Sequence, residues 1–384
     1  MNIAVFTDSF FPGIGGTEKA VLGFVQELSK KHNVLLVCPK YNGKHDDSKY
    51  NFKVVRTPNI KLTSNDYFSF PNFSINLRKT LLEFKPDIIH CQTVSPIVGY
   101  GIKFGRKHNI PVVMTIHTRF RELFAESIKF KPLLNFLIKN IGKKCYKANK
   151  VFTVSDSMAK DLPSYGYMGD VSVIRNGAIF EKVEDKQLNS SLAIEKYNLK
   201  TNTPILLFVG RMVSIKNVEF LLNAFKVLND KNFKYKALLV GDGPDLDKFK
   251  DIAKKLNIEN NVIFTGVIND KNLLSSIYSA ADLFTSASVV ETDSLVVVEA
   301  ACHKTPSLVI DCSGGAERIK NNINGFISTN NFETYANKII EIFKNKKELI
   351  KMNESSFTTI PKDWSETVNE YEKVYKTLPS KTNS

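Results

Sequence analysis

Apolar residues recur along the chain with two alternating periods. Short apolar runs at residues 3–6 and 34–37 predict buried β-strands, and residues 17–31 between them carry apolar positions at helical spacing. Further strands are predicted at residues 88–89, 112–115 and 151–154. Because strands that alternate with helices are typical of βαβ units, the pattern predicts an α/β protein with a parallel sheet.

The same alternation begins again after residues 181–191, a polar stretch without a clear period that is the candidate linker. The second series has predicted strands at residues 205–209, 237–240, 262–264, 282–285 and 307–310, and helices at residues 218–228 and 246–256. We therefore expect two doubly wound Rossmann-like domains, residues 1–185 and 192–361, that face each other across a ligand-binding cleft. A last helical pattern, which begins at Trp364, lies within residues 362–384.

Composition narrows the class of protein. A chain of 384 residues with 43% hydrophobic residues is long enough for about two domains with substantial cores. No uncharged apolar run reaches the ~18 residues that a transmembrane helix needs, and the N-terminus lacks the pattern of a signal peptide. Five scattered cysteines without a CxxC pair fit a reducing cytoplasm, and the six histidines show no zinc-like spacing, so no structural metal is expected.

The positive charge is concentrated in one segment. The net charge is +14, and residues 101–150 hold twelve basic residues against only Glu122 and Glu126. Within this segment a helix is predicted from Pro132, with an apolar stripe at Leu134, Leu137, Ile138, Ile141 and Cys145 and with Lys139, Lys143, Lys144 and Lys147 among the polar positions. Such a helix suits an anionic membrane surface, although a helix packed on its own domain with a solvated lysine face would show the same pattern. The aromatic stretch at residues 67–73 fits either a membrane-facing or acceptor loop or a buried loop cluster.

Two cations follow the first strand of the second series. In FVGRMVSIKN, Arg211 comes directly after Gly210 at the strand end, and Lys216 lies five residues further on. Cations at this position suit a diphosphate, but they would also occur as two solvated surface charges. The next strand leads into a GDGP turn that begins at Gly241 and can bring backbone N–H groups near a nucleotide.

Two glutamates bracket an apolar run in VETDSLVVVEA. Glu291 is expected in a loop above a strand, and Glu299 inside a helix that starts at Ser294. Carboxylates at these places can accept paired hydrogen bonds from sugar or ribose hydroxyls. Alternatively, they are a first-turn acid and a buried acid in a structural ion pair.

Two features of the first series also suit a ligand. Gly15 and Gly16 lie in a loop between the first strand and the first helix, where glycine allows backbone to approach a ligand closely, although a plain βα turn is the alternative. His117 follows a predicted strand in TIHTRF, a place where a histidine can equally be structural.

In combination, GR-x4-K, GDGP and E-x7-E resemble the retaining glycosyltransferases of family 4, which have the GT-B fold of two Rossmann-like domains. The resemblance implies a nucleotide-diphosphate sugar as donor substrate, with no cofactor and no metal. It implies that Arg211 and Lys216 bind the donor diphosphate, Glu299 the ribose and Glu291 the transferred sugar. It also implies that the loop with Gly15 and Gly16 closes over the donor phosphates and that His117 lies at the transfer site. The donor-binding set is completed by Gly210, Gly241, Asp293, Ser294 and Leu295.

The same resemblance implies that the last helix crosses back to the first domain and that retention proceeds by front-face attack, with the leaving phosphate taking the acceptor proton. The family often has an aromatic residue and a glycine where this chain has Asp293 and Ser294, so the sugar pocket is expected to gain a carboxylate.

These expectations favour a cytoplasmic hexosyltransferase, peripheral on the inner face of the cell membrane, that uses a UDP-hexose and a lipid or lipid-linked acceptor. A soluble polysaccharide- or protein-directed transferase is the alternative. A nucleic-acid-binding protein is disfavoured because the chain shows no nucleic-acid-reading motif.

Overall fold

The computed structural model describes residues 1–12, 15–41, 46–61, 67–200 and 202–379. The chain forms two compact units. Unit 1 comprises Met1–Ile179 together with the C-terminal segment from Asp363, and unit 2 comprises Phe180–Lys362.

Unit 1 is an α/β unit with a parallel sheet. Its strands are β1 (Asn2–Thr7), β2 (Asn33–Pro39), β3 (Lys53–Thr57), β4 (Asn59–Lys61), β5 (Tyr67–Ser69), β6 (Ile88–Gln92), β7 (Val112–Ile116), β8 (Lys150–Thr153) and β9 (Val171–Val173). Its helices up to that point are α1 (Gly16–Leu28), α2 (Ile75–Phe84), α3 (Pro96–Lys107), α4 (Phe120–Ser127), α5 (Lys131–Cys145) and α6 (Asp156–Asp161). Within the described residues, seven strands pair in the parallel order β3-β2-β1-β6-β7-β8-β9, and β4 and β5 form a separate antiparallel pair.

Unit 2 repeats the plan. Its helices are α7 (Lys186–Asn189), α8 (Ser191–Tyr197), α9 (Val218–Asp230), α10 (Leu246–Lys255), α11 (Lys271–Ala280), α12 (Leu295–Cys302), α13 (Phe332–Lys344) and α14 (Lys346–Thr359). Its strands are β10 (Ile205–Val209), β11 (Lys236–Val240), β12 (Val262–Gly266), β13 (Leu283–Ser286), β14 (Ser307–Ile310) and β15 (Phe326–Ser328). They pair in parallel in the order β12-β11-β10-β13-β14-β15 across the described part of the unit. The predicted alternation of strands and helices is thus confirmed in both halves.

Burial on both faces explains why the strands are apolar throughout. In β1, Ala4 and Phe6 join the core on one side of the sheet, whereas Ile3 and Val5 join the core on the other side. Since a parallel sheet is covered by helices on both faces, its central strands need apolar residues at every position. The carboxyl ends of these strands are where the candidate site residues lie.

The last helix, α15 (Trp364–Tyr375), packs in unit 1 against α1. The indole of Trp364 occupies the space beside Gly23, where a Cβ would lie 2.3 Å from its Nε1. Val368, Tyr371 and Tyr375 are buried in the same core as Val21. The apolar spacing of this helix therefore serves packing onto α1.

The polar stretch predicted as a linker instead belongs to unit 2. It contains α7, whose Lys186 is partly buried and donates hydrogen bonds to the carbonyl oxygens of Ala281 and Lys304, at 2.7 and 2.9 Å. Burial lowers the pKa of Lys186 to about 8. The apolar period is missing because α7 is short and is held by polar contacts of Lys186 and Asn189 rather than by an apolar face.

Candidate active site

The carboxyl ends of β10 and β11 lie in close contact where the loop after β10 begins. The amide of Gly210 donates to Val240 O at 3.0 Å, and a Cβ at Gly241 would lie 1.9 Å from Gly210 O. Gly241 also has φ +134°, a conformation that L side chains rarely adopt. The glycines predicted at these positions are therefore needed to bring β10 and β11 together at their carboxyl ends, and Arg211 is exposed directly after Gly210.

Lys216 and Glu291 form an ion pair. Nζ of Lys216 lies 2.6 Å from Oε1 of Glu291, and the two side chains are 26% and 14% exposed. Asn217, the residue after Lys216, donates from Nδ2 to Ala287 O at 3.1 Å and so ties this loop to the segment after β13. The structure therefore brings together two of the residues that the sequence predicted, 75 positions apart.

Asp293 has a different partner from the one expected. Its carboxylate accepts hydrogen bonds from Nε and Nη2 of Arg318, each at 2.8 Å, and both side chains are only 4% exposed. Nε of Arg318 also donates to the backbone oxygen of Asp293 at 3.1 Å. Arg318 thus engages both carboxylate oxygens, and the expectation that Asp293 adds a carboxylate to the sugar pocket stays a prediction.

The turn at Ser294 is strained and closely packed. Ser294 has φ 33° in the left-handed region, and α12 begins after it, at Leu295. A Cβ at Gly314 would lie 2.0 Å from Glu291 O, and a Cβ at Gly315 would lie 3.2 Å from that of Ser294. The loop after β14 therefore presses against the turn that carries Glu291, which restricts where Glu291 can point.

Glu299 is almost completely buried inside α12. It is 1% exposed, and its Oε2 accepts a hydrogen bond from the hydroxyl of Tyr278 at 2.6 Å. His303 stacks on Tyr278 and lies with Nδ1 2.6 Å from the backbone oxygen of Glu299. Burial raises the pKa of Tyr278 well above its usual value, so the hydroxyl stays protonated and can donate. Glu299 is thus a buried carboxylate in a defined hydrogen-bonding environment.

The glycine loop of unit 1 is described only in part. Gly15 and Gly16 stand at the start of α1, whereas residues 13 and 14 lie outside the described part of the chain. A Cβ at Gly15 would lie 2.5 Å from Oε2 of Glu18, and Glu18 accepts a short hydrogen bond from Ser9. Backbone access at Gly15 therefore depends on the Glu18 side chain, which covers this position.

His117 follows β7 directly and is half-buried. Its Nε2 lies 2.5 Å from Oε1 of Gln92, the last residue of the neighbouring strand β6. Burial lowers the pKa of His117 to about 4, so the imidazole is neutral near pH 7. A neutral imidazole is suited to hydrogen bonding rather than to charge stabilisation.

The basic helix α5 has two distinct faces. Leu134, Ile138, Ile141 and Cys145 of the predicted apolar stripe are buried in unit 1. The opposite face presents Phe136, which is 60% exposed, beside exposed Lys139 and Lys143, with exposed Lys147 after the helix end. Lys144 differs from these lysines: it flanks the buried stripe, is half-buried, and burial and then Lys147 lower its pKa. Phe73 in the aromatic stretch is also exposed, whereas Pro71 is buried.

Sequence reasoning missed four residues that hold the candidate site. They are Gln92, His90, Tyr278 and Arg318. One signal was available: His90 and Gln92 are polar residues at the end of the apolar run IIHCQ, which the prediction ended at residue 89 although β6 continues to Gln92.

The described residues contain neither a cluster suited to a metal ion nor a membrane-spanning helix. No group of three or more His, Cys, Asp or Glu residues there could hold a metal ion. No helix in the same ranges is long and apolar enough to cross a bilayer.

Comparison with known proteins points to one class of enzyme. The family model "Glycosyltransferase Family 4" matches residues 14–181, and "Glycosyl transferases group 1" matches residues 190–358. The chain is 29% identical over 316 residues to the alpha-monoglucosyldiacylglycerol synthase of Streptococcus pneumoniae, covering 80% of this chain and 70% of the relative. It is 25% identical over 331 residues to the synthase of the same name from Acholeplasma laidlawii, covering 80% of each chain.

A solved structure agrees with the fold. Anabaena HepE in complex with UDP and glucose superposes with a TM-score of 0.76 at 18% identity, covering 98% of this chain and 100% of that one. The two parallel-sheet units, the two family models and this likeness agree with the fold that the motifs predicted. The chain therefore belongs to the glycosyltransferases of the family 4 type and has the GT-B fold.

Proposed function

We propose that this protein is a retaining hexosyltransferase that moves a hexose from UDP-hexose to a membrane lipid or lipid-linked acceptor in the synthesis of cell-envelope glycolipid or polysaccharide. It uses no cofactor and no metal ion. It works in the cytoplasm on the inner face of the cell membrane, and it does not bind nucleic acid.

The Lys216–Glu291 pair carries this proposal. A cation and a carboxylate 2.6 Å apart at the carboxyl end of a parallel sheet can each exchange partners when a nucleotide sugar binds. Lys216 then turns to the diphosphate together with Arg211, and the released carboxylate of Glu291 accepts hydrogen bonds from sugar hydroxyls. Cations that meet the diphosphate stabilise the charge that develops on it as the glycosidic bond breaks.

The remaining proposed contacts to the donor are made partly by side chains and partly by backbone. Glu299 accepts hydrogen bonds from the ribose hydroxyls, and Tyr278 holds its carboxylate from the other side. Gly210, Gly241, Ser294 and Leu295 supply backbone around the donor, and Gly15 and Gly16 of unit 1 do so for the phosphates. Asp293 acts through Arg318, which fixes the turn between Glu291 and Ser294.

The acceptor is inferred from the relatives and from α5. Both relatives above are named as synthases of a glucosyldiacylglycerol, which favours diacylglycerol or a related lipid here. Phe136 with Lys139 and Lys143 gives α5 an exposed apolar side chain beside two cations, an arrangement that suits an anionic leaflet. A membrane-binding role for these lysines explains part of the net positive charge of the chain, so nucleic-acid binding is not needed to explain it.

A donor panel tests the proposal. The purified chain is incubated with UDP-glucose, UDP-galactose, UDP-N-acetylglucosamine and GDP-mannose, with or without phosphatidylglycerol vesicles that contain diacylglycerol, and nucleotide release is measured. We expect UDP release that requires the lipid, an α-anomeric product by NMR, and no loss in EDTA. Release only with soluble polysaccharide or protein acceptors would favour the soluble alternative, and no release with any acceptor would contradict a transferase function.

A further inference from the structure

A line of hydrogen bonds runs through the interior of unit 1 from His117 to α15. His117 contacts Oε1 of Gln92, and Nε2 of Gln92 lies 3.2 Å from Nε2 of His90. Nδ1 of His90 lies 2.5 Å from the hydroxyl of Tyr375, which is 285 residues later in the chain. The end of β7, where His117 stands, is thus connected to the C-terminal helix through two buried side chains of β6.

The orientation of the Gln92 amide determines where the protons lie. An amide oxygen can only accept a hydrogen bond, so His117 must carry its proton on Nε2. An amide nitrogen can only donate, so Nε2 of His90 must be unprotonated. The hydroxyl of Thr115, at 2.7 Å, donates to this same nitrogen. His90 therefore has its proton on Nδ1 and donates it to Tyr375.

Burial makes this arrangement well defined. His90, Gln92 and Thr115 are each no more than 1% exposed. Burial lowers the pKa of His90 to about 3, and burial also keeps His117 neutral, so each imidazole has a single proton near pH 7. Polar groups buried this deeply are costly unless every donor finds an acceptor.

Helix α15 contributes more than one hydroxyl to the line. Tyr371, one turn before Tyr375, has its hydroxyl 3.2 Å from that of Thr115. Reversal of the Gln92 amide would require the proton on His90 to move as well, because otherwise two donors or two acceptors would face each other. The hydroxyls of α15 can donate or accept, so the orientation of the Gln92 amide selects the tautomers, and in this orientation Tyr375 accepts the proton of His90 that accompanies Nε2–H on His117.

We propose that Gln92 is a positioning residue for His117, holding the imidazole in the Nε2–H form with Nδ1 as a hydrogen-bond acceptor, and that Tyr375 secures this arrangement through His90. The inference rests on the proposed function in one respect: the hydroxyl that Nδ1 accepts from is one of the donor sugar or of the lipid acceptor. A histidine fixed in this form discriminates against a substrate that offers only an acceptor at that point.

Spectroscopy tests the tautomer without any substrate. The full chain is labelled with ¹⁵N-histidine, and long-range ¹H–¹⁵N correlation spectra distinguish Nε2–H from Nδ1–H imidazoles. The signal of His117 is identified by its loss in His117→Asn. We expect the Nε2–H form in the wild type at pH 7, a mixture of both forms in Gln92→Met, and the Nε2–H form again in Gln92→Glu, which restores an acceptor.

Kinetics test the consequence. Loss of one net hydrogen bond corresponds to about a tenfold effect, so we expect kcat/KM of Gln92→Met to fall at least about tenfold and that of Tyr375→Phe by about threefold. Tyr165→Phe is the matched control, because it removes an equally buried hydroxyl of unit 1 that pairs with the amide of Arg121 outside this line. Its kcat/KM should stay within about twofold of wild type.

The outcomes separate this inference from the proposed function. A wild-type spectrum with His117 in the Nδ1–H form would overturn the inference even if the enzyme transfers glucose as expected. Absence of turnover with every donor would contradict the proposed function and leave the spectrum as the test of the tautomer. If Gln92→Met fails to fold, the wild-type spectrum still decides, since the Nε2–H form of His117 supports the inference and the Nδ1–H form overturns it. Equal kcat/KM for Gln92→Met, Tyr375→Phe and Tyr165→Phe would remove Gln92 and Tyr375 as positioning residues.

Discussion

Arg318 holds the carboxylate of Asp293 through two parallel hydrogen bonds, from a position 25 residues further along the chain. This pair joins the turn before α12 to the loop after β14. Because the same turn carries Glu291 and Ser294, the ion pair fixes the backbone at the centre of the candidate donor site. The role we propose for Asp293 is therefore to hold the shape of this turn.

Removal of the arginine should be strongly destabilising. In Arg318→Met the carboxylate of Asp293 would remain buried without its cation, and such losses typically cost about 3–5 kcal/mol in the free energy of unfolding. Lys250→Met is the matched control, because Lys250 and Asp247 form an exposed pair of unit 2 that should contribute less than about 1 kcal/mol. Urea denaturation followed by far-ultraviolet circular dichroism measures both, and similar midpoints for the two variants would refute the buried-pair account.

The roles of Lys216 and Glu299 can be tested together. We expect Lys216→Ala and Glu299→Ala to lower kcat/KM for the nucleotide sugar by about 10²–10³-fold, since each removes a charged contact to the donor. Lys248→Ala removes an exposed lysine of unit 2 that pairs with Glu219 and should leave kcat/KM unchanged. Steady-state nucleotide release provides the measurement, and near wild-type values for both site variants would refute the site assignment.

Tyr278 should affect donor binding through Glu299. Tyr278→Phe deletes the hydroxyl that donates to Oε2 of Glu299, so the carboxylate loses its fixed orientation. We expect KM for the donor to rise about 5–10-fold with kcat nearly unchanged, the size of one net hydrogen bond. Tyr335→Phe removes an equally buried hydroxyl of unit 2 that donates to Leu308 O. An equal rise of KM in both variants would mean that the effect is general loss of packing.

The sequence predicted the elements well because their apolar periods are long and regular. It missed the end of β6 because His90 and Gln92 are polar, and they are tolerated there only through partners on β7 and α15 that are far away in the chain. It did not reveal α7 because polar contacts of Lys186 and Asn189 replace the apolar face that a longer helix would show. In both places a tertiary contact outweighs the local pattern.

The candidate site also has parts that local sequence patterns predict and parts that depend on tertiary contacts. Motif spacing predicted Lys216 and Glu291 as site residues, and the structure brings them together. Their roles remain predictions, as do those of Gly15, His117 and Glu299. The partner of Asp293 could not be predicted, because no period or spacing links residue 293 to residue 318. The position of Lys144 could have been predicted from helical geometry, since it lies three residues after Ile141 and one before Cys145, both buried.

The buried histidines predict a loss of stability in acid. The pKa of His90 is about 3 in the folded chain, against about 6.5 in an unfolded one, so below pH 6.5 the unfolded state takes up a proton that the folded state does not. Its contribution is therefore complete above pH 6.5 and is lost as the pH falls toward 3, at about 1.4 kcal/mol per pH unit. Between pH 6.5 and pH 5 the loss is about 2 kcal/mol.

The contribution of His90 to the free energy of unfolding can be measured in unit 1 through the fluorescence of Trp364. This residue is the single tryptophan of the chain and lies on α15. In His90→Gln, the drop in the free energy of unfolding between pH 7 and pH 5 should be about 2 kcal/mol smaller than in wild type. Urea denaturation followed by tryptophan fluorescence at the two pH values gives the comparison. An identical drop in both proteins would mean that His90 is protonated in the folded state.

Binding to membranes should depend on the outward face of α5. At up to about 1 kcal/mol per basic residue near an anionic leaflet, replacement of Lys139 and Lys143 by alanine should weaken partitioning onto phosphatidylglycerol vesicles up to about 30-fold. Phe136→Ser should weaken it further, because the exposed ring can enter the boundary between headgroups and acyl chains.

The control for this experiment is a second pair of exposed lysines four residues apart. Lys250 and Lys254 lie on α10 of unit 2, and their replacement by alanine removes the same charge from a helix whose aromatic residue, Phe249, is buried. Vesicle sedimentation at physiological salt should separate the two double variants, since a general charge effect would weaken both equally. Equal loss in the two, or no wild-type binding, would exclude α5 as the membrane contact and favour a soluble acceptor.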